Sequence, residues 1–258
     1  MNWILESGLH LTLVFSLVFA RVAGLVMTAP VFGSSDVPKR IRVMLALSLA
    51  ALVTPLQTLE LANDPQTPVD YLLLIAGETL VGVTIGVGIT LLFSGLQVAG
   101  QIVNQMSGMQ LADVYNPSLH ENVPIFSQLL YYVALAVFVT IGGHRRVMTA
   151  LLDSFASLPP GGGTMPTEIG EMLTTLAALS FRLGVQAATP IMVAMLLATL
   201  VLGLISRTLP QLNVMHMGFG INSMITLCAM ALSMGAMAWV FQEQVDPMLN
   251  LLVEIFRG

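Results

Sequence analysis

The chain has 258 residues, 56% of them hydrophobic and only 9% charged, with 22 glycines and a net charge of −5 from 9 basic and 14 acidic side chains. Soluble domains carry about 25% charged residues, so these few charges cannot cover a globule in water, and lipid or an assembly must cover the apolar remainder. The charges stand singly, without the basic stripe that nucleic-acid binding requires, and the lone Cys228 excludes an intramolecular disulfide.

Six long apolar stretches follow in chain order, at about 3–29, 41–62, 69–103, 125–141, 177–205 and 212–241. The first has no Lys or Arg ahead of it, unlike a cleavable signal peptide, and is expected to stay in the mature protein. Pro55 interrupts the second and Pro190 the fifth, each removing a backbone donor and kinking its helix. The third would be about 52 Å long at 1.5 Å per residue against a hydrocarbon thickness of about 30 Å, so it is expected to tilt, break or protrude. Gly82, Gly86 and Gly100, with Gly77, Gly88 and Gly95, supply it with sites for bending or for close helix approach. The fourth is at the short limit for a span.

The connections are rich in Gly, Pro, Asn, Asp and Ser, and the longest, Gly142 to Glu171, is too short for a soluble catalytic domain. Beyond the sixth stretch, Asp246-Pro247 reads as the cap and first turn of a short amphipathic helix, with Val245, Met248, Leu249, Leu252 and Phe256 on one face. Its polar face is mostly acidic, which leaves docking on a protein as open as lying on lipid. Lys39, Arg40 and Arg42 place the first connection in the cytoplasm, yet Arg145-Arg146 and Arg207 then cannot both follow the same rule. Either the statistical bias fails here or some segments are not straight spans.

No phosphate-cradling loop, no clustered His or Cys ligands and no serine with a spaced base occur, so no catalytic, cofactor or metal residue is assigned and no enzyme is expected. Three ionisable residues fall within apolar runs: Arg21, Glu78 and Arg182. Intramembrane charge marks a functional site by default, but six to ten apolar neighbours offset one charge on an insertion scale of about 2.5–3.5 kcal/mol per charge. Buried structural pairing or interfacial placement is therefore the first reading. A stand-alone secondary transporter built around these charges is the alternative, and no inverted repeat supports it. The connection from Gln105 to Pro124 lacks Lys and Arg but carries Met106, Met109, Leu111, Val114 and Tyr115, apolar side chains that favour burial.

In order along the chain stand Arg21-x-x-Gly24, Pro30-Val31-Phe32, Val37-Pro38-x-Arg40-x-Arg42 and Gly77-Glu78-x-x-x-Gly82. Ala99-Gly100-x-x-x-x-Gln105-x-x-Gly108, Asn116-Pro117, Gly143-His144, Ser154-Phe155 and Pro159-x-Gly161 come next. Pro190, Gly203, Arg207, Pro210-x-x-Asn213 and Gly218-Phe219 close the series. Together these resemble the flagellar export-gate family FliR and its injectisome counterpart SctT, over nearly the whole chain. Asn104-Gln105 followed by Met106-Ser107 departs from the Asp-x-Gln-Arg-Gly form of injectisome members and favours the flagellar branch.

The resemblance implies an all-α protein of bent, membrane-embedded helical hairpins, FliP-like over residues 1–175 and FliQ-like over 176–258. It implies a multi-pass subunit of the type III secretion export gate, in the bacterial inner membrane at the flagellar basal body. FliP and FliQ homologues would be its partners, with other export-apparatus membrane proteins around them and unfolded proteins in transit. It also implies a pore plug formed by the stretch of about 105–123, with Gln105, Met106, Ser107, Gly108, Met109, Gln110, Leu111, Tyr115, Asn116 and Pro117 among its residues.

Overall fold

A computed structural model describes residues 2–33, 37–57, 63, 65–108, 124–162, 169–208 and 214–257, the side chains of 2–7, 9, 214–217, 219 and 253–257 excepted. Among these residues the secondary structure is helical throughout. The helices are α1 (Asn2–Thr28), α2 (Pro30–Gly33), α3 (Lys39–Val53) with a 3-10 turn at Thr54–Leu56, α4 (Pro68–Ser107) and α5 (Ile125–Thr140). The order continues with α6 (Gly143–Ser157), α7 (Ile169–Thr208) and α8 (Val214–Arg257). The chain is an all-α membrane protein, and among the described residues four helices are long and apolar enough to cross a bilayer, His10–Thr28, Pro68–Ser107, Ile169–Thr208 and Gly220–Leu252, or five if the bent pair α5–α6 is one span.

The six apolar stretches do not all form straight spans. Of the apolar run 41–62, residues 41–53 lie in the 15-residue α3, about 22 Å long and short of a bilayer, because Pro55 has no N–H to continue the helix and the chain tightens into a 3-10 turn, while residues 58–62 lie outside the described residues. The run 125–141 becomes α5, which is bent by 69° from α6 at a two-residue break. Gly142 sits there at φ 76°, a left-handed conformation that glycine adopts without strain. What reads in sequence as a connection from Gly142 therefore holds a 15-residue amphipathic helix that buries Val147, Ala150, Leu151, Ser154 and Phe155. The separate helix expected after Asp246 is also revised: α8 runs on through Pro247. Val245, Met248, Leu249 and Leu252 are buried along one face as their spacing predicts, while the Phe256 side chain lies outside the described residues.

The helices pack as two compact units. One comprises residues 1–92, 142–177 and 246–258, the other residues 93–141 and 178–245. In the first, α1 and α3 form an antiparallel hairpin, since Leu11, Thr12 and Phe15 line one groove with Ala51, Thr54 and Pro55. α1 and α4 run parallel, with contacts rising together in number: the Ser16 and Tyr71 hydroxyls lie 2.6 Å apart, and farther along the Thr90 hydroxyl donates to the Thr28 carbonyl at 2.8 Å. The second unit centres on Phe93, whose ring packs against Tyr131, Phe138 and Phe241 at centroid distances of 5.3–5.8 Å. There Gly95 and Gly184 bring α4 and α7 together, a Cβ on Gly184 falling 2.5 Å from the Gly95 carbonyl oxygen. The Ser94 and Ser180 hydroxyls, 3.0 Å apart, join the same seam.

Candidate functional site

In the first unit the α1–α4 seam is built on small residues. A Cβ on Gly24 would lie 2.6 Å from the Thr79 carbonyl oxygen, one on Gly82 would overlap the Arg21 carbonyl, and one on Gly86 would overlap the Thr28 hydroxyl. With no side chain on these faces the two backbones meet, and the polar groups at the seam are sealed from solvent. Arg21 is 1% exposed and Glu78 2% exposed.

The buried guanidinium is held on several sides. Its Nε donates to Glu78 Oε2 at 2.6 Å, Nη1 to the Ser154 carbonyl at 2.9 Å and to the Ser154 hydroxyl at 3.2 Å, and Nη2 to the Leu158 carbonyl at 2.9 Å. The Phe155 ring covers its face, 4.1 Å from centroid to Cζ, in cation–π geometry. The second carboxylate oxygen, Glu78 Oε1, accepts the Gly161 N–H at 3.0 Å. The Gly161 carbonyl in turn accepts from Asn63 Nδ2 at 3.0 Å. Gly161 needs φ 83° to turn its N–H inward, which favours glycine there.

The node therefore joins α1, α4, the end of α6 and the turn that follows it. The Arg21 side chain takes the place of a cap at the carbonyl end of α6, where the Leu158 carbonyl has no helical donor ahead of it. Chemically the arrangement is a closely held ion pair: charged hydrogen bonds inside a low-dielectric seam, with both carboxylate oxygens engaged and four hydrogen bonds from the guanidinium.

Of the sequence-predicted charged residues, Arg21 and Glu78 meet. Arg182 does not join them: it is exposed on α7, in the other unit, and forms no ion pair among the described residues. The helix-packing glycines Gly82 and Gly86 lie in the α1–α4 seam, and a Cβ on Gly100 would overlap the Ser127 backbone at the start of α5. Of the expected plug residues, Gln105, Met106 and Ser107 form the last turn of α4, exposed, half-buried and buried in turn, and Gly108 ends it at φ 76°. Met109, Gln110, Leu111, Tyr115, Asn116 and Pro117 lie outside the described residues. Residue-type reasoning missed Ser154, Phe155, Leu158 and Gly161 as partners of the pair. Three of them, Ser154, Phe155 and Gly161, stand among the motifs that carry the family resemblance, which was the available signal.

Long apolar helices and a sealed charged node define a multi-pass membrane protein whose buried polar chemistry is structural in form. Residues 12–248 match the family described as bacterial export proteins, family 1, and the chain belongs to that family. It is similar to "Flagellar biosynthetic protein FliR" of Escherichia coli (strain K12), 30% identical over 91% of this chain and 89% of that one. The protein of the same name from Aquifex aeolicus (strain VF5) is 30% identical over 91% and 89%, and that from Bacillus subtilis (strain 168) is 26% identical over 96% and 98%. The chain is accordingly a component of the flagellar export apparatus, in a family of export proteins that is not a known enzyme class.

Proposed function

We propose that the chain is a structural pore subunit of the flagellar type III secretion export gate, helping to form and to close the channel through which unfolded flagellar proteins cross the bacterial inner membrane at the basal body. It acts with FliP and FliQ homologues, residues 1–175 taking the FliP-like part and 176–258 the FliQ-like part. The stretch of about 105–123, from Gln105 through Pro117 and beyond, forms the plug.

One observation beyond family membership carries this reading. α4 and α7 have 40 residues each, about 60 Å at 1.5 Å per residue, twice a hydrocarbon thickness of about 30 Å. Burying such a helix in lipid alone would need a tilt of roughly 60°, beyond the usual 0–40°. Yet α7 stays apolar and uncovered for most of its length: Phe181, Val193, Leu197, Leu200 and Leu204 are each more than half exposed. Neighbouring protein must cover what the bilayer does not reach, as staves of a common wall would.

The test is co-expression with FliP and FliQ homologues. The expected result is one detergent-stable complex containing all three. Failure of the three to co-purify under any solubilisation condition that keeps FliP and FliQ homologues together refutes the proposal.

A further inference from the structure

The start of α3 concentrates positive charge. Lys39, Arg40 and Arg42 are three of the chain's nine basic residues and fall within four positions, in a protein of net charge −5. From Val37 to Gln57 there is no acidic residue, and Asp36 is the nearest acid in sequence. Arg42 is committed to the fold: it is half-buried and its Nε donates to the Val37 carbonyl at 2.9 Å. Lys39 and Arg40 are exposed and form no ion pair among the described residues.

Beyond these cations the outer side of α3 is apolar but for Ser48, whose hydroxyl donates to the Met44 carbonyl at 2.8 Å. Ala46, Ala50 and Val53 are buried, whereas Met44 is 67% exposed, Leu47 42% and Leu52 69%. The helix thus presents charge at one end and grease along its flank. An anionic phospholipid carries the same two features in the same order. The rise from Arg40 to Leu52 is about 18 Å, close to one leaflet of a hydrocarbon core of about 30 Å. Long basic side chains at such a level reach the headgroups while their stems stay in apolar surroundings.

We propose that the start of α3 is a docking site for an anionic phospholipid, with Lys39 and Arg40 on the headgroup phosphate and the acyl chains along Met44, Leu47 and Leu52. The site fixes the level of the α1–α3 hairpin against the headgroups. It rests on the membrane class of the chain and not on its role in a pore, so either proposal can fail alone.

The experiment is native mass spectrometry of the full-length protein, in whatever complex it purifies with, titrated with dioleoyl phosphatidylglycerol and separately with dioleoyl phosphatidylcholine. The wild type is expected to prefer phosphatidylglycerol. K39Q/R40Q should lose roughly fivefold in that affinity per charge, about thirtyfold for the pair, with phosphatidylcholine binding unchanged. K39R/R40K should retain the preference, and Arg207→Gln, which removes an exposed cation elsewhere, should leave it intact. The proposal is overturned by equal binding of the two lipids to wild type, by undiminished phosphatidylglycerol binding to K39Q/R40Q, or by an equal loss of both lipids. It is also overturned if millimolar inorganic phosphate displaces phosphatidylglycerol, which would mean that the cations bind a free anion and the apolar flank contributes nothing.

Discussion

Cutting the Arg21–Glu78 pair from one side should damage the protein more than removing it altogether. In Glu78→Gln the amide oxygen can still accept the Gly161 N–H, but the amide N–H₂ then faces the Arg21 Nε–H, and the guanidinium is buried without a counter-charge. Breaking a buried pair in this way costs about 3–5 kcal/mol. Arg21→Met leaves the opposite charge stranded at similar cost and uncovers the Leu158 carbonyl. In the double variant R21M/E78Q no charge remains. Ser154 keeps partners, since its carbonyl also accepts the Leu158 N–H and its hydroxyl donates to Leu151. The remaining losses are the Leu158 carbonyl and the introduced amide N–H₂ left without an acceptor, about 1–3 kcal/mol each, and the cation–π contact on Phe155, about 1 kcal/mol. The double variant should therefore melt above at least one single variant, with a coupling of several kcal/mol in place of additivity. Thermal midpoints of the detergent-solubilised protein, read by fluorescence-detected size-exclusion chromatography after heating, give the ordering. Additive losses, with R21M/E78Q lowest by the sum of the singles, would refute the paired geometry.

Other substitutions test the surrounding structure. Gly82→Ala must push α1 from α4 because the new Cβ overlaps the Arg21 backbone, and should cost about 1–3 kcal/mol, whereas Gly170→Ala, with nothing within 4 Å, should leave the thermal midpoint unchanged or raised. Arg146 and Asp246 pair at a half-exposed surface, so Asp246→Asn should shift stability by no more than about 1 kcal/mol and the difference should vanish at high salt. Deleting residues 106–122 should make the gate assembled with FliP and FliQ homologues leak ions, read as loss of membrane potential with a voltage-sensitive dye, and unchanged permeability would count against the plug.

Composition alone makes the class legible, because 9% charge and 56% hydrophobic residues have few other solutions. The excess length of the third apolar run already points to the 40-residue α4. Hydropathy fails where backbone geometry decides. Residues 41–62 are apolar enough to span, but whether Pro55 kinks a helix or ends it depends on what packs beyond, and here α3 stops at Val53. The 69° bend depends on the φ of Gly142, to which no hydropathy window is sensitive. At the site, Arg21 and Glu78 stand out in sequence because charge in an apolar run is costly, yet 57 positions separate them and their pairing is a tertiary fact. Arg182 shows the same sequence signal and is exposed, so the signal marks cost without saying how the cost is met.

How that cost is met also decides between a structural and a transporting role for the pair. A coupling-ion or substrate site needs a charged group that can change partners, and so at least one ligand position open to water or to the bilayer midplane cavity. Here both Glu78 oxygens are occupied, four guanidinium N–H bonds are made, the Phe155 ring covers the face, and the glycine seam of Gly24 and Gly82 leaves no path to either group from the α1–α4 side. Releasing Glu78 for chemistry would strand Arg21 at several kcal/mol in a site where the guanidinium is only 1% exposed. The same set of bonds suits a fixed joint: it ties α1, α4 and the end of α6 with charge-assisted bonds whose directions specify the angle at which those helices meet. In the gate subunit proposed above, whose other faces would meet foreign helices, an internal angle set before assembly is what the neighbouring surfaces would require.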